Sequence, residues 1–534
     1  MTAALAFSTA PATAKANSPV VAGTIRVGAI AGLVQAIFSV FAWSNGWLLL
    51  YSDAQSHLTI ARRLIDSQEP GFAMLGTVWL PVPHLLLAPF TANFTLWTTG
   101  FAGAILGVGA AAVSAGALWR ITQRIGFPTR TRVVVLVVFC LNPSILYLYS
   151  TALTEPVLIA SLLAATAGLA TWIYSPVPRS MGQLAVFVGI PTGAAVLSRY
   201  EGWAFVAAAS LFVLVTSWRR WQSWKYSIGL VLSYLAVPVS CVTWWVSYNW
   251  VVFGDPLSFA RDQYSAAAQQ QQLVDLGLLP TKSNLGLSVH VYNWDVVAMA
   301  GVPILALAAA GAMILVIRRG LDTSALLVWL TGFVYPFAVI SLYLGQTAVR
   351  NEHSLPFGYF NLRYAAPAMA FFALLVGFAV MEGDRFGARV RAMLLVSGLV
   401  VALAFGFLAW SYADPRARIG VIAEGYTNSE GSEAEQVAAR WLGMNYNGGG
   451  VLIDEGANPV LIQLGMSLAD VTATYTGADF ETAKANPAAV KWIYTNTQSG
   501  MDRVWNAIVN NPEFATRFAP AYRDGPITIW ARFQ

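Results

Sequence analysis

Charge is scarce in this chain. Asp, Glu, Lys and Arg together make up 11% of its 534 residues, against roughly a quarter in soluble globular proteins. The shortage excludes an ordinary water-soluble enzyme, because hydrophobic residues fill 57% of the sequence and a single soluble core stops growing at about 250–300 residues. Lipid is therefore the expected solvent for most of the chain. Cysteine is nearly missing too: Cys140 and Cys241 both sit in apolar runs, which leaves neither a disulfide framework nor a cysteine-ligated zinc site. No GxxxxGK[ST] and no GxGxxG in a strand–turn–helix setting occurs, so a nucleotide site has no support. The 4 histidines show no HxxxH or HxxE spacing. The net charge of +5 does not point to nucleic acid, because membrane sidedness accounts for it.

What is present is length in apolar runs. A spanning helix needs ~20 mostly apolar residues, and windows of that size give about eleven candidates, near 27–50, 97–119, 133–150, 156–176, 183–198, 203–217, 227–251, 296–317, 324–345, 365–381 and 392–411. The stretch 80–90, broken by Pro81 and Pro83, is expected to lie at the interface. Basic residues in short loops mark the cytoplasmic side. Alternate loops carry Arg120, Arg124, Arg130 and Arg132, then Arg179, then Arg219, Arg220 and Lys225, then Arg318 and Arg319, then Arg385, Arg389 and Arg391, with Lys15 and Arg26 in the tail. The opposite loops hold fewer: Arg62, Arg63, Arg199, Arg261, Lys282, Arg350 and Arg363. The N-terminus is thus expected in the cytoplasm and the C-terminus outside. Residues 1–26 read as a disordered cytoplasmic tail and 27–411 as the transmembrane domain.

Acids distribute the other way. Asp322, Glu382 and Asp384 fall inside, whereas Asp53, Asp66, Glu69, Glu155, Glu201, Asp255, Asp262, Asp275, Asp295 and Glu352 fall outside, together with His57, His84, His290 and His353. Chemistry is therefore expected on the outer face. From residue 412 the composition becomes that of a soluble domain, 412–534, with strand-like runs at 420–424, 451–454, 491–495 and 527–533 and helical patterns at 433–444, 457–467 and 500–510. Ser432 and Glu435 fit a capping box. A small extracytoplasmic α/β domain is the expectation.

Directly after the first span, YSDAQSHLTIARR places Asp53 and His57 at i and i+4, on one face of a helix. A carboxylate at the mouth of a span can take a proton from an acceptor hydroxyl; helix capping is the structural alternative. Glu155, followed by Pro156, opens the fourth span, where an acid also stabilises a helix N-terminus. The third outer turn, LSRYEGW, groups Arg199, Tyr200 and Glu201, a pair that can also serve only each other. A long outer loop begins FGDPLSFARDQY, and the fifth, QTAVRNEHSLPFGYFNLRYAAP, gathers Arg350, Glu352, His353, Arg363 and Tyr364. Arginine's planar donors suit phosphate, and a boundary arginine also snorkels to headgroups. Trp79 and His84 in LGTVWLPVPHLLLAPF are candidate cavity walls.

Together, the aspartate beyond the first span, the TEP turn, the RYEG turn, the FGDP loop and the late RY resemble the GT-C superfamily of integral-membrane glycosyltransferases, most of all the protein O-mannosyltransferase and aminoarabinose transferase branch. The resemblance implies a polytopic α-helical fold of about eleven spans in a bacterial-type plasma or inner membrane. It implies sugar transfer from a polyprenyl-phosphate-linked donor to a glycan, lipid or protein acceptor on the extracytoplasmic face, usually with inversion. Asp53 would be the general base and Glu155 the second cavity acid, while Arg363, Arg199, Arg350 and His57 would face the donor phosphate. Trp79, His84, Tyr200, Glu201, His353 and Tyr364 would line the cavity. No cofactor is required by this reading; a divalent cation, Mg or Mn, would have Asp53 and Glu155 as its ligands. One departure is that Asp53 is followed by Ala54, where the family's acidic pair has Asp then Glu. The alternatives are a transporter or lipid flippase, whose ionisable groups usually sit near mid-membrane, and another cell-envelope polysaccharide transferase or ligase.

Overall fold

The computed structural model describes residues 17–175, 180–262, 265–354, 357–383, 419–512 and 514–533, with the single residues 387, 389 and 398. The expected span 392–411 falls almost wholly outside the described residues, as do Lys15, Arg179, Asp384, Arg385 and Arg391. The first helix, α1 (Asn17–Ser44), begins ahead of the expected boundary, so residues 17–26 are helical rather than tail; Pro19 lies in its first turn, where a missing N–H costs nothing. A short 3-10 turn, Trp47–Leu49, leads into α2 (Ser52–Arg63). Next come the short apolar α3 (Val82–Thr91) and the long α4 (Phe101–Arg124), α5 (Glu155–Ile173), α6 (Glu201–Trp221) and α7 (Trp224–Phe253). Then follow α8 (Leu285–Ala300), α9 (Val302–Arg319) and α10 (Met369–Gly383), the last entered through a 3-10 turn, Leu362–Ala368.

Among the described residues, 7 helices are long and apolar enough to cross a membrane, or 8 if one bent pair counts as a single span. The chain is thus an integral, multi-pass α-helical membrane protein. Several expected spans are interrupted for local reasons. Near 133–150 the chain forms Thr129–Cys140 and Pro143–Leu148, separated where the Asn142 side chain accepts from Ile145 N and starts a new helix. Near 296–317 the break is at Gly301, whose φ of 80° a glycine adopts without strain. The 324–345 segment bends by 41° between Thr323–Thr331 and Val334–Tyr343. Close packing is set by small residues: a Cβ on Gly311 of α9 would collide with the Leu375 carbonyl of α10, so these two backbones touch.

The loops expected on one side also meet one another. Arg219 Nη1 donates to Leu321 O at 2.6 Å, Arg220 Nη2 to Ser175 O at 2.9 Å, and Arg318 pairs with Glu382 at 2.7 Å. The acid-rich turns converge at the opposite end.

Beyond the bundle, α11 (Gly420–Glu430) and α12 (Glu433–Asn445) lead into a five-stranded sheet. Its strands are β1 (Val451–Ile453), β2 (Val471–Thr472), β3 (Trp492–Asn496), β4 (Phe518–Asp524) and β5 (Ile527–Arg532), in the order β2-β1-β3-β5-β4. β1 is parallel to β2 and β3, and β5 is antiparallel to β3 and β4. The expected strand at 420–424 is instead the start of α11. Its apolar residues Val421, Ile422 and Ala423 are buried together, so tertiary burial overrides the short-run strand pattern. The Ser432 capping box does not form: Ser432 Oγ donates back to Asn428 O at 3.1 Å. The helix expected at 457–467 shrinks to Leu461–Leu464 and that at 500–510 to Arg503–Ile508. β2, of 2 residues, and the largely solvent-facing β4 lack an apolar pattern to announce them.

Candidate active site

α2 is positioned from both sides. Leu58 and Ala61 are buried in the core, and the C-terminal domain grips the polar flank: Gln463 Nε2 donates to Gln55 Oε1 at 2.7 Å, Ser467 Oγ to Asp66 Oδ1 at 2.5 Å, and Arg63 pairs with Glu455 at 3.4 Å. Arg63 also lies over the Tyr475 ring, 5.0 Å from its centroid. So seated, the first turn of α2 brings Asp53 to the end of the bundle, where its carboxylate pairs with Arg363.

From there the charges alternate. Arg363 Nε lies 3.1 Å from Glu155 Oε1, which also accepts from Arg199 Nη1 at 2.9 Å. Arg199 in turn donates from Nη2 to Glu201 Oε1 at 3.0 Å. Asp53, Arg363, Glu155, Arg199 and Glu201, drawn from elements far apart in sequence, thus form one ion chain. Exposure separates its two best candidates: the Asp53 side chain is 39% accessible and that of Glu155 only 1%. Asp53 is the open end, whereas Glu155 is a buried counter-ion to two guanidiniums, with Oε2 lacking a hydrogen-bond partner among the described residues. Burial works against the Arg199 charge, but Glu155 and Glu201 outweigh it and hold the guanidinium protonated. Tyr364 lies under both cations, its ring centroid 4.8 Å from the Arg199 guanidinium carbon and 5.7 Å from that of Arg363.

His57 shares a 2.9 Å hydrogen bond, through Nδ1, with His84 Nε2. Burial pushes His57 down to about 3, with Arg363 and Arg199 adding to the effect, and burial followed by His57 and Arg63 lowers His84. Both imidazoles are neutral near pH 7, so His57 brings no positive charge to a phosphate. Trp79 packs against His57 with centroids 4.6 Å apart. Tyr200 donates to Val78 O at 3.3 Å and stacks on Phe259.

Arg350 and His353 lie apart from the ion chain. Arg350 bridges Phe360 in a short antiparallel pairing and covers its ring, and His353 stacks on Trp294 at 3.6 Å. The two acids considered for a cation, Asp53 and Glu155, meet guanidiniums, and the described residues hold no group of three or more His, Cys, Asp or Glu side chains able to take a metal.

Sequence reasoning missed Glu424, which is buried in α11. Its Oε1 accepts from Asn361 N at 2.6 Å and its Oε2 from Leu362 N at 3.0 Å. The available signal was an acid set in an apolar run, IGVIAEGY. A small void of about 20 Å³, lined among others by the apolar Ile159, Leu163, Phe205, Pro367 and Ala370, lies between the helices that begin at Glu155 and Leu362.

No protein-family model matches the chain, and no curated protein matches it in sequence. Among solved structures it is similar to ArnT from Cupriavidus metallidurans bound to undecaprenyl phosphate, at 13% identity and a TM-score of 0.56 over 93% of this chain and 97% of that one. The apo state of the same protein gives 14% identity and a TM-score of 0.52 over the same shares. The Archaeoglobus fulgidus oligosaccharyltransferase in complex with Zn and sulfate gives 12% identity and a TM-score of 0.48, over 88% of this chain and 68% of that one. The chain therefore shares the fold of ArnT.

Proposed function

We propose that this chain is a membrane glycosyltransferase that moves a sugar from a polyprenyl-phosphate donor to an acceptor hydroxyl, with Asp53 as general base. The observation that carries the reading is the pairing of an accessible carboxylate, Asp53, with a buried guanidinium, Arg363, at the acid-rich end of the bundle. Displacing phosphate from a sugar carbon leaves negative charge on the departing oxygen and releases the acceptor's proton. The site needs a cation for the first and a base for the second. In this mechanism Arg363 turns from Asp53 to the donor phosphate, which frees the Asp53 carboxylate to take the hydroxyl proton as the acceptor oxygen attacks. A single displacement of this kind inverts the anomeric centre. Glu155 holds Arg363 and Arg199 in place, and Arg199 adds positive field behind Arg363. Tyr364 gives both cations a flat floor.

ArnT, which shares the fold, binds undecaprenyl phosphate. By the basic-loop rule the site faces away from the cytoplasm, with the C-terminal domain on the same side. Acceptors of this chemistry are glycan, lipid or protein hydroxyls. The test is transfer from a set of labelled polyprenyl-phosphate sugars by the purified protein. Sugar transfer that Asp53→Asn abolishes is expected; full activity in that variant, or no transfer from any such donor by the unaltered protein, rejects the reading.

A further inference from the structure

Arg363 is only as well placed as the backbone that carries it. That backbone leaves the 350–360 segment through Asn361, whose φ of 59° is left-handed and unfavourable for a residue with a Cβ. Two contacts hold the conformation: Asn361 Nδ2 donates to Ala348 O at 2.9 Å, and the Glu424 carboxylate receives the N–H groups of Asn361 and Leu362, one on each oxygen. These N–H groups open the 3-10 turn Leu362–Ala368. A negative charge at that end satisfies donors the turn cannot pair itself and complements its dipole.

Glu424 is 1% exposed. Burial pushes its carboxyl up, while Arg363, the two N–H groups and the Tyr51 hydroxyl pull it down. α11 is itself pinned to the segment before Asp53: Tyr51 donates to Val421 O at 2.7 Å, Trp47 Nε1 to Tyr426 Oη at 2.9 Å, and Ser52 Oγ to Asn428 Oδ1 at 3.0 Å. Gly425 lies where a Cβ would come within 2.9 Å of the Tyr147 hydroxyl, so the helix sits hard against the bundle.

We infer that Glu424, supplied by the C-terminal portion, is a positioning residue for the donor phosphate: it fixes the backbone at Asn361 and Leu362 so that the Arg363 guanidinium can leave Asp53 for the phosphate without the turn moving. The inference rests on the functional reading above. An isolated buried carboxylate is costly, and this one is compensated by the Arg363 charge, by the two amides next to it and by the Tyr51 hydroxyl, which ties its presence to that turn.

The experiment compares the full-length protein with Glu424→Gln and Glu424→Asp, using undecaprenyl phosphate in detergent as the binding probe and amide hydrogen exchange over residues 358–368 as a second readout. Gln keeps the shape but presents an NH2 to one of the two N–H donors; Asp keeps the charge but withdraws it by one methylene, and serves if the Gln variant does not fold. Asn428→Ala loosens α11 at Ser52 without touching the carboxylate. The expected result is binding weakened by roughly tenfold in the Glu424 variants, in line with the loss of a charge-assisted hydrogen bond, with faster exchange at Asn361 and Leu362 and neither change in Asn428→Ala. Unchanged binding and exchange in the Glu424 variants overturns the inference, as does an equal loss in Asn428→Ala, which would make the effect one of helix docking. Failure of the unaltered protein to bind the probe overturns the functional reading; the exchange measurement then tests the clamp alone.

Discussion

At the level of single residues, burial sorts side chains of the same chemistry into different tasks. Asp53 and Glu155 share one arginine, but only Asp53 is open to an incoming hydroxyl. Asp53→Asn is expected to lower kcat by about 10²–10⁴-fold, the range for loss of a general base, with melting temperature and detergent-extracted yield unchanged. Glu155→Gln should behave differently: it leaves two buried guanidiniums short of a counter-ion, a change that costs about 3–5 kcal/mol where one partner of a buried pair is removed, and thermal unfolding should show it directly. The histidine pair gives a pH signature. His57 is depressed to about 3 by burial, so between that value and the ordinary 6.5 the unfolded chain binds protons that the folded one refuses. Stability is therefore full above about pH 6.5 and declines as the pH falls toward 3. Replacing both His57 and His84 by Gln should flatten the acid limb of a melting-temperature profile, and an unchanged limb would count against the pair as its source. Sequence spacing put Asp53 and His57 on one face of α2, but it carried no information on His84 as a partner, since a contact between turns 27 residues apart leaves no periodic trace.

At the level of elements, α2 is the piece on which the site turns. Its first turn carries Asp53, and its far end is held by Arg63, which reaches Glu455 and the face of Tyr475. Arg63→Gln removes both contacts together with the hydrogen bond from Arg63 Nε to Met74 O. A several-fold fall in kcat is expected with little change in donor KM, since Arg363 keeps its own supports; a rise in KM alone would contradict this. The existence of α2, of the long spans and of β1, β3 and β5 was legible because each has a clear period or apolar run. The start of α11 was not. Five residues with three apolar side chains fit a strand as well as a buried helix turn, and only the surface of the bundle, which the local sequence does not contain, decides between them. The broken spans at Asn142 and Gly301 follow from caps and a positive φ, features that a hydropathy window averages away.

At the level of the whole molecule, the scarcity of charge that placed the chain in lipid also identified the end of the bundle where the remaining charges meet. The sorting by side was readable in the loops; the order of the ion chain was not, because Arg363 meets Asp53 across a sequence separation of 310 residues. Assembly depends on close backbone contact, so Gly311→Leu is expected to separate α9 from α10 and to remove the monodisperse folded species from size-exclusion profiles in mild detergent. The position of Glu424 has a consequence for biosynthesis. α11 and the sheet leave the ribosome after the segments that bear Asp53, Glu155, Arg199 and Arg363. Until that stretch has emerged and docked, the turn beneath Arg363 has no carboxylate to hold it and Arg63 lacks Glu455 and Tyr475. A chain cut before Glu424 therefore lacks the carboxylate that receives the Asn361 and Leu362 N–H groups, and under the proposed function it is expected to transfer no sugar.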